Sequence, residues 1–400
     1  MRRICAAVGV WVALAVGCVA PTAAGAPYEI PAYWVVEGDT LQPRVGDFAF
    51  NDLAFVASDE GWIVGDRFLL HISGPRVRVV FVNDVRTSLV SVATLGPTAA
   101  WAGGLRAVGD DGGVEGVLWS YGTDGWRPAL VPEVPVVDWT VARVRVAAAN
   151  DGAALVHGRA PASTERRDVL LHFDGTRWSV AFAAPAGSEL SDVCLTADGS
   201  GWAVGRKMVA PRAPWQGAAW RRDGRIWSEL RLPVGLDGEW DLHRVCCLSG
   251  GQVAAVGGRT TPTATGPAVE GLLLRFDGAW RRVELPEPMR AGYPDALDAA
   301  PDGSLWVAAG RAGRPRIARQ TATGGWDDTA LPVLPGGRRR GFAVGALALT
   351  AASEGWAIAD DVGGPGVVRG LVLRYRDGAW SNRGWNWHFW RERWFGLFGH

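Results

Sequence analysis

The stretch ADGSGWAVG, residues 197–205, places a tryptophan directly after a tight turn of Asp, Gly and Ser and follows it with small residues. Related phrases recur along the chain: SDEGWIVG ends at Gly65, GPTAAWAGG at Gly104, SGGQVAAVGG at Gly258, DGSLWVAAG at Gly310 and ASEGWAIAD at Asp360. A phrase that recurs this often indicates internal repeats, and repeats decide the architecture before any single motif does.

Two tryptophan series give the length of the repeat. Positions equivalent to Trp202 follow one another at steps of 39 to 54 residues: Trp62, Trp101, Leu155, Ala254, Trp306 and Trp356. A second series runs at steps of 46 to 54 residues: Trp126, Trp178, Trp227, Trp280, Trp326 and Trp380. Because two separate markers share one period, the chain is predicted to contain seven consecutive units.

Each unit has the pattern of four short strands. Around Trp202, the apolar strand LSDVCL precedes the turn, WAVG forms the second strand, and a third strand and an Asp-Gly turn lead to a fourth strand marked by Trp. Apolar alternation bounded by Gly, Pro and Asp is typical of β-strands. We therefore predict an all-β fold, a seven-bladed β-propeller of four-stranded antiparallel blades over residues 45–384. Trp202 is expected to fill the gap between two blades, and the small residues after it to allow close packing.

The units resemble those of kelch and Asp-box (BNR-type) propellers and are similar to secreted bacterial propellers with WAVG-type repeats. HFDGTRW (172–178) and RFDGAW (275–280) keep the Asp, Gly and Trp of an Asp box but lack its leading Ser. The kelch double glycine is clear only at 103–104 and 257–258. The resemblance implies the propeller fold, and no catalytic residue is transferred through it.

The two ends of the chain differ from the repeats. Residues 1–26 are interpreted as a signal peptide, because two arginines precede a short apolar run. Cleavage after the small residues that end this segment gives a secreted protein, whereas a lipobox ending at Cys18 gives a lipoprotein. Residues 27–44 form an N-terminal extension that could close the ring. The aromatic C-terminal tail, residues 385–400, is expected either to pack on the propeller or to insert at a membrane interface.

The composition excludes several classes of function. Lys and Arg number 41 and Asp and Glu also 41, so no overall field draws the chain onto nucleic acid. The sequence contains no zinc motif, nucleophile elbow, P-loop or EF-hand loop. His71 and His172 share one repeat position and are predicted to lie on the surface. We expect no catalytic residue, no metal site and no cofactor.

The loops differ in length on the two faces of the predicted ring. Turns after the first and third strands are short, whereas the segments after the second and fourth strands are long and rich in Arg. Variable loops on a rigid scaffold are typical of binding surfaces. The predicted binding-face residues are Arg159, Arg166, Arg167, Arg206, Lys207, Arg212, Arg259, Arg338, Arg339 and Arg340.

These features favour an exported, non-catalytic propeller that binds an acidic protein or a polyanionic glycan at the cell envelope. The alternative is a carbohydrate-active enzyme, a lyase or glycosidase, with its site at the channel mouth. An enzyme needs convergent carboxylates, Tyr or His, and the chain has only five Tyr and six His.

The first strands carry charges at one height near the ring axis. The position of Asp192 is matched by Asp52, Ser91, Arg145, Arg244, Ala296 and Ala346 in the other units. A polar ring of Asp52, Arg145, Asp192 and Arg244 is therefore expected in the channel, where charges must be paired or hydrated. This ring forms either a salt-bridged, water-filled channel or a small polar site at the channel mouth.

Three cysteines follow the signal segment: Cys194, Cys246 and Cys247. Cys194 and Cys246 occupy one repeat position and point the same way around the ring, whereas Cys247 points the other way. If Cys194 faces blade five, the pair Cys194–Cys247 converges and a disulfide forms. If it faces blade three, all three are buried thiols.

Overall fold

The computed structural model describes Tyr28–Glu29 and residues 50–381 except 66–67, 75, 82–85, 110–111, 233–235, 237, 265, 312–313, 322, 330, 332–341 and 362–369. The predicted signal peptide (1–26), most of the extension at 27–44, the aromatic tail (385–400) and Arg338, Arg339 and Arg340 lie outside the described residues.

The described chain is almost entirely β-strand. A two-residue strand, β1, covers Tyr28–Glu29. The first strands of the blades are Phe50–Ala57 (β2), Thr87–Gly96 (β6), Val137–Ala148 (β10), Ser188–Leu195 (β14), Glu239–Cys247 (β18), Tyr293–Ala299 (β22) and Phe342–Ala351 (β26). The second strands are Glu60–Gly65 (β3), Ala99–Val108 (β7), Asp151–Arg159 (β11), Gly201–Met208 (β15), Val253–Thr263 (β19), Leu305–Arg311 (β23) and Glu354–Asp361 (β27).

The outer half of each blade completes the pattern. The third strands are Phe68–Ser73 (β4), Gly113–Gly122 (β8), Arg166–Phe173 (β12), Trp215–Asp223 (β16), Gly266–Phe276 (β20), Arg314–Gln320 (β24) and Gly370–Arg376 (β28). The fourth strands are Arg76–Phe81 (β5), Gly125–Pro128 (β9), Trp178–Ala183 (β13), Ile226–Leu230 (β17), Trp280–Val283 (β21), Trp326–Thr329 (β25) and Ala379–Ser381 (β29). A 3-10 turn at Ser249–Gly251 and a one-turn helix, α1, at Glu287–Arg290 lie in loops. No helix of the described part has the length and apolar character of a membrane span.

Seven antiparallel sheets of four consecutive strands form the ring, which confirms the predicted seven-bladed β-propeller. Strand β1 adds a fifth strand to blade 1, beside β5. Among the described residues, blades 1 and 7 meet without exchanging a strand. The seam is instead packed by the stacked rings of Phe55 and Trp356, 4.8 Å apart, and Trp356 Nε1 donates to the carbonyl of Ser58 at 2.9 Å.

The two tryptophan series meet across blade boundaries. Edge-to-face pairs join the second strand of one blade to the fourth strand of the next: Trp62 with Trp126 at 5.0 Å, Trp202 with Trp280 at 5.5 Å and Trp306 with Trp380 at 6.2 Å. Trp62, Trp202 and Trp306 are at most 1% exposed. The prediction that these tryptophans fill the gaps between blades is confirmed, and edge-to-face geometry is the favoured arrangement of such rings.

Every first strand carries a β-bulge at the same place. In blade 4 the ladder steps from Leu190, opposite Gly205, to Asp192, opposite Val204, so that Ser191 is the extra residue. A bulge turns the strand and re-aims the side chains that follow it. Gly205 lies opposite this bulge, and a Cβ there would collide with the carbonyl oxygen of Glu189. The glycine of WAVG is therefore required by close contact between the first two strands.

The predicted repeat register is correct in six blades and wrong in blade 3. The position of Trp202 is occupied there by Ala153, not by Leu155, because Ala153 pairs with Arg145 as Trp202 pairs with Cys194. In blade 4 a five-residue turn separates β14 from β15, whereas only two residues separate β10 from β11. Asp151 and Gly152, which the repeat would place in the turn, therefore lie at the start of β11.

The surface assignment of His71 and His172 is also wrong. Both lie on third strands rather than at the outer edge, and His71 is 8% exposed, stacked on Trp62 at 4.1 Å and bonded to Glu60. His172 is half-buried and lies 3.1 Å from Asp151. Arg221, Arg319 and Arg374 take the equivalent position over other second-strand tryptophans, a cation–π arrangement.

A disulfide joins Cys194 of blade 4 to Cys247 of blade 5, with 5.8 Å between the Cα atoms. Cys194 therefore faces blade 5, and the convergent alternative considered from the sequence is confirmed. Cys246 points toward blade 6 and is a buried free thiol.

Candidate functional site

The seven first strands line a central cavity of about 340 Å³. All four residues of the predicted polar ring contact it: Asp52, Arg145, Asp192 and Arg244. The register shift in blade 3 places Arg143, not Arg145, at the height of Asp192, and Arg145 lies two residues further along β10. Arg143 and Asp298 also line the cavity and were missed, although each is two residues from a predicted ring position and so shares its side of the strand.

The Asp52 carboxylate binds blades 1, 2 and 3 together. It accepts hydrogen bonds from the Ser91 hydroxyl at 2.7 Å and the Val92 amide at 3.3 Å, and Arg145 Nη1 lies 3.3 Å away. Burial opposes ionisation, yet Arg145, Arg143 and the Ser91 hydroxyl together hold the pKa of Asp52 below its usual value. Asp52 is therefore an ionised structural anchor.

Asp192 has the corresponding role between blades 3, 4 and 5. Its Oδ2 accepts the amide hydrogen of Val245 at 3.1 Å. Its Oδ1 lies 3.6 Å from Arg143 Nε and from Arg145 Nη2. Arg145 thus bridges the carboxylates of Asp52 and Asp192 across the channel.

Asp298 lines the channel between blades 6 and 7. Its Oδ2 accepts the amide hydrogen of Leu349 at 2.7 Å. Burial raises the pKa of Asp298 to about 6, against the effect of this hydrogen bond. Asp298 therefore changes protonation closer to neutral pH than Asp52 does.

The face that carries the loops after the second and fourth strands is called here the long-loop face, and the opposite one the short-turn face. Second and third strands extend beyond their neighbours toward the long-loop face, most clearly in blade 5, where β19 and β20 have 11 residues each and β21 has four. Residues 259–263 and 266–271 therefore form a protruding hairpin.

The structure brings most of the predicted binding-face residues together with carboxylates. Arg159 pairs with Asp138, and Lys207 with Glu229. Arg206 donates to Glu189 at 2.9 Å and covers the ring of Trp215, and Arg259 lies 3.8 Å from Glu270. Arg167 and Arg212 are exposed, and no carboxylate of the described residues pairs with either. The face is consequently charge-paired rather than uniformly basic, which a count of Arg in the loops could not reveal.

Arg166 joins this face to the core. Its Nε lies 2.9 and 3.1 Å from the two oxygens of Asp168, and its Nη2 donates to the Leu190 carbonyl at 2.8 Å. Asp168 is fully buried and also accepts the Leu190 amide hydrogen at 2.6 Å. Burial raises the pKa of Asp168 to about 6, although Arg166 and the amide oppose that shift.

We expect stability to fall as pH rises through the pKa of Asp168. The folded state binds this proton more tightly than the unfolded chain, so the contribution is fully present below about pH 4 and is lost through about pH 6. Asp168→Asn should flatten that part of a plot of unfolding free energy against pH. Substituting the exposed Asp223 by Asn is the control, and identical profiles for wild type and Asp168→Asn would contradict the assignment.

His243, Tyr293 and Asp241 contact one another at the boundary of blades 5 and 6. The Tyr293 hydroxyl donates to Asp241, and the His243 ring stacks on Tyr293 with centroids 4.4 Å apart. His243 Nε2 donates to the Pro294 carbonyl. Burial and Arg244 lower the pKa of His243 to about 4, so it does not carry a proton at neutral pH. Among the described residues, no three His, Cys, Asp or Glu side chains are grouped to hold a metal ion.

No protein-family model and no curated protein matches the chain. Among solved structures it is similar to virginiamycin B lyase from Staphylococcus aureus, with 12% identity and a TM-score of 0.50 over 79% of this chain and 94% of that one. It is also similar to the β-propeller domain of the Trilobed protease from Pyrococcus furiosus, described as having an open velcro topology. The identity is 8% and the TM-score 0.53, over 84% of this chain and 98% of that one. A third similar structure is a puromycin hydrolase, with 15% identity and a TM-score of 0.56 over 85% of this chain and 54% of that one. At these identities the likeness shows the propeller fold alone.

Proposed function

We propose that this protein is an exported, non-catalytic β-propeller that binds an acidic protein or a polyanionic glycan at the cell envelope through its long-loop face. The observation that carries the proposal is a repeated cation on the protruding hairpins. Arg106, Lys207 and Arg259 occupy one register position, two residues beyond the glycine that faces the bulge. Three blades thus present a cation at one height on a rigid ring.

The existing ion pairs of these cations leave them available to a ligand. The side chains of Arg106, Lys207 and Arg259 are 47%, 30% and 24% exposed, and their carboxylate partners lie on the same surface. Exposed ion pairs contribute only about 0–1 kcal/mol each. A sulfate or carboxylate of a partner can replace the internal carboxylate at little cost, and bidentate Arg contacts favour that exchange.

Export is proposed on two grounds. The N-terminal sequence has the form of a signal peptide, with secreted and lipidated forms both open. The Cys194–Cys247 disulfide belongs to an oxidising compartment. Membership of the WAVG-type repeat group, related to kelch and Asp-box propellers, is part of the same proposal.

Heparin binding tests the face. We expect heparin to bind wild type and the affinity to fall as salt rises, because exposed charges are screened. Replacing Arg106, Lys207 and Arg259 together by Gln should weaken binding about tenfold, from roughly 0.5 kcal/mol at each site. The matched control replaces Arg177, Arg225 and Arg281 on the short-turn side by Gln and should bind as wild type does. Equal affinities for both triple variants would remove the long-loop face from the proposal.

A carbohydrate-active enzyme with its site at the channel mouth is the second candidate. Asp298 favours it, since a carboxyl with a pKa near 6 is suited to donate a proton. Asp52 and Asp192 favour the binding role, because each accepts a backbone amide of the next blade and faces an arginine. The test is whether the protein releases products from a panel of polysaccharides. Release that the substitution Asp298→Asn abolishes would establish the enzyme instead.

A further inference from the structure

Arg244 lines the channel but forms no close ion pair with a carboxylate of the described residues. Its one assigned hydrogen bond runs from Nη1 to the carbonyl of its neighbour His243, at 3.2 Å. No carboxylate of the described residues lies within ion-pair distance of its guanidinium, whereas Asp52 and Asp192 are shared by Arg143 and Arg145. A cation in a confined site is costly unless an anion or water satisfies it.

The charges around Arg244 include two arginines, Arg143 and Arg145, as well as the more distant carboxylates of Asp192 and Asp52. Burial, and then repulsion from Arg143, lowers the pKa of Arg244 to about 10, so it remains charged at neutral pH. The Nε of Arg143 is buried without a hydrogen-bond acceptor in the described structure. Arg143 and Arg244 both line the cavity, and Arg143 Nε lies 3.6 Å from the Asp192 carboxylate, beyond hydrogen-bond distance.

The opposite wall of the cavity is apolar. Blade 7 contributes Gly345, Ala346, Leu347 and Ala348, and its first strand, FAVGALALTA, has no ionisable residue. Ala296 of blade 6 continues this wall. The small side chains there leave the space that the cavity occupies, so blade 7 offers apolar surface across the channel from the arginines, with the Asp298 carboxyl of blade 6 beside it.

We propose that the channel binds a small organic anion, with its carboxylate on Arg244 and Arg143 and its apolar body against Ala346 and Ala348. Arginine forms paired, charge-assisted hydrogen bonds with a carboxylate. The volume, about 340 Å³, lies within the range of small-molecule sites. Solvent reaches the charged side, because the side chains of Arg143 and Arg145 are 18% and 30% exposed. This site is separate from the long-loop face.

The test uses 2-naphthoate as the probe and isothermal titration calorimetry on the full chain. We expect 2-naphthoate to bind at one site per chain, and both its neutral analogue 2-naphthamide and inorganic phosphate to bind at least tenfold more weakly. Arg244→Gln should weaken 2-naphthoate binding at least tenfold. Arg225→Gln removes an exposed arginine of a short turn and should leave the affinity unchanged.

A second variant separates ligand binding from folding. Ala346→Leu fills the apolar side without changing a charge and should also weaken 2-naphthoate binding at least tenfold, while thermal unfolding shows whether each variant is folded. Failure of 2-naphthoate to bind would overturn the proposal. It would also be overturned by equal affinity for 2-naphthamide or phosphate, or by wild-type affinity in folded Arg244→Gln or Ala346→Leu.

Discussion

We expect removal of the Cys194–Cys247 disulfide to lower the free energy of unfolding by about 4 kcal/mol, because the cross-link closes a segment of 53 residues and restricts the unfolded chain. The bond joins the first strands of blades 4 and 5 beside the channel, next to the contact between Asp192 and the Val245 amide. The double variant Cys194→Ala, Cys247→Ala should show this loss in denaturant unfolding, and dithiothreitol should then have no further effect on its stability.

Cys246 provides the internal control for this experiment. Cys246→Ala removes a buried thiol but keeps the disulfide, so it should cost about 1 kcal/mol and retain the response to dithiothreitol. Alkylation after unfolding without reductant should label Cys246 but neither Cys194 nor Cys247. Labelling of all three cysteines would contradict the disulfide.

We expect replacement of Arg222 by Met to lower the free energy of unfolding by about 3–5 kcal/mol, the usual cost of removing one partner of a buried ion pair. Arg222 is 4% exposed and binds Asp151 of blade 3 through two hydrogen bonds, of 2.9 and 2.6 Å. It also donates to the Gly199 carbonyl at 2.7 Å, within the turn that precedes Trp202. Loss of Arg222 leaves the Asp151 carboxylate with only His172 beside it among the described residues.

The adjacent Arg221 is the matched control for Arg222. Its guanidinium lies over the ring of Trp202 at 5.5 Å on an exposed strand surface, so Arg221→Met should cost only about 0.5–1 kcal/mol. In a double-mutant cycle, adding Asp151→Asn to Arg222→Met should cost less than it does in wild type. Additive losses would show that the two side chains do not stabilise the ring as a pair.

Repeat spacing predicts the blades because each unit meets the same packing problem. Trp62, Trp202 and Trp306 fill equal gaps, and the short turns keep one phase from unit to unit. The predicted register is wrong in blade 3, because the turn between the first two strands is shorter there and Asp151 and Gly152 belong to the second strand. The predicted register was wrong by two residues there, so Arg145 was predicted at the height of Asp192, where the structure has Arg143.

The charges of the site are less predictable than the fold. Repeat position identified Asp52, Asp192 and Arg244 as channel residues, because one register position projects to one height. It could not show that Arg206 and Arg166 share Glu189, since those partners come from different strands. Ion pairing depends on side-chain reach in three dimensions, so a predicted basic face became a charge-paired one.

Hydrogen–deuterium exchange with and without heparin tests the binding role of the long-loop face most directly. The proposal predicts slower exchange, on heparin binding, in the hairpin ends of blades 2, 4 and 5, including residues 105–109 and 209–214. Exchange in the short turns at 174–177, 224–225 and 277–279 should stay unchanged. Protection confined to those short turns, or binding without protection of the hairpin ends, would contradict it.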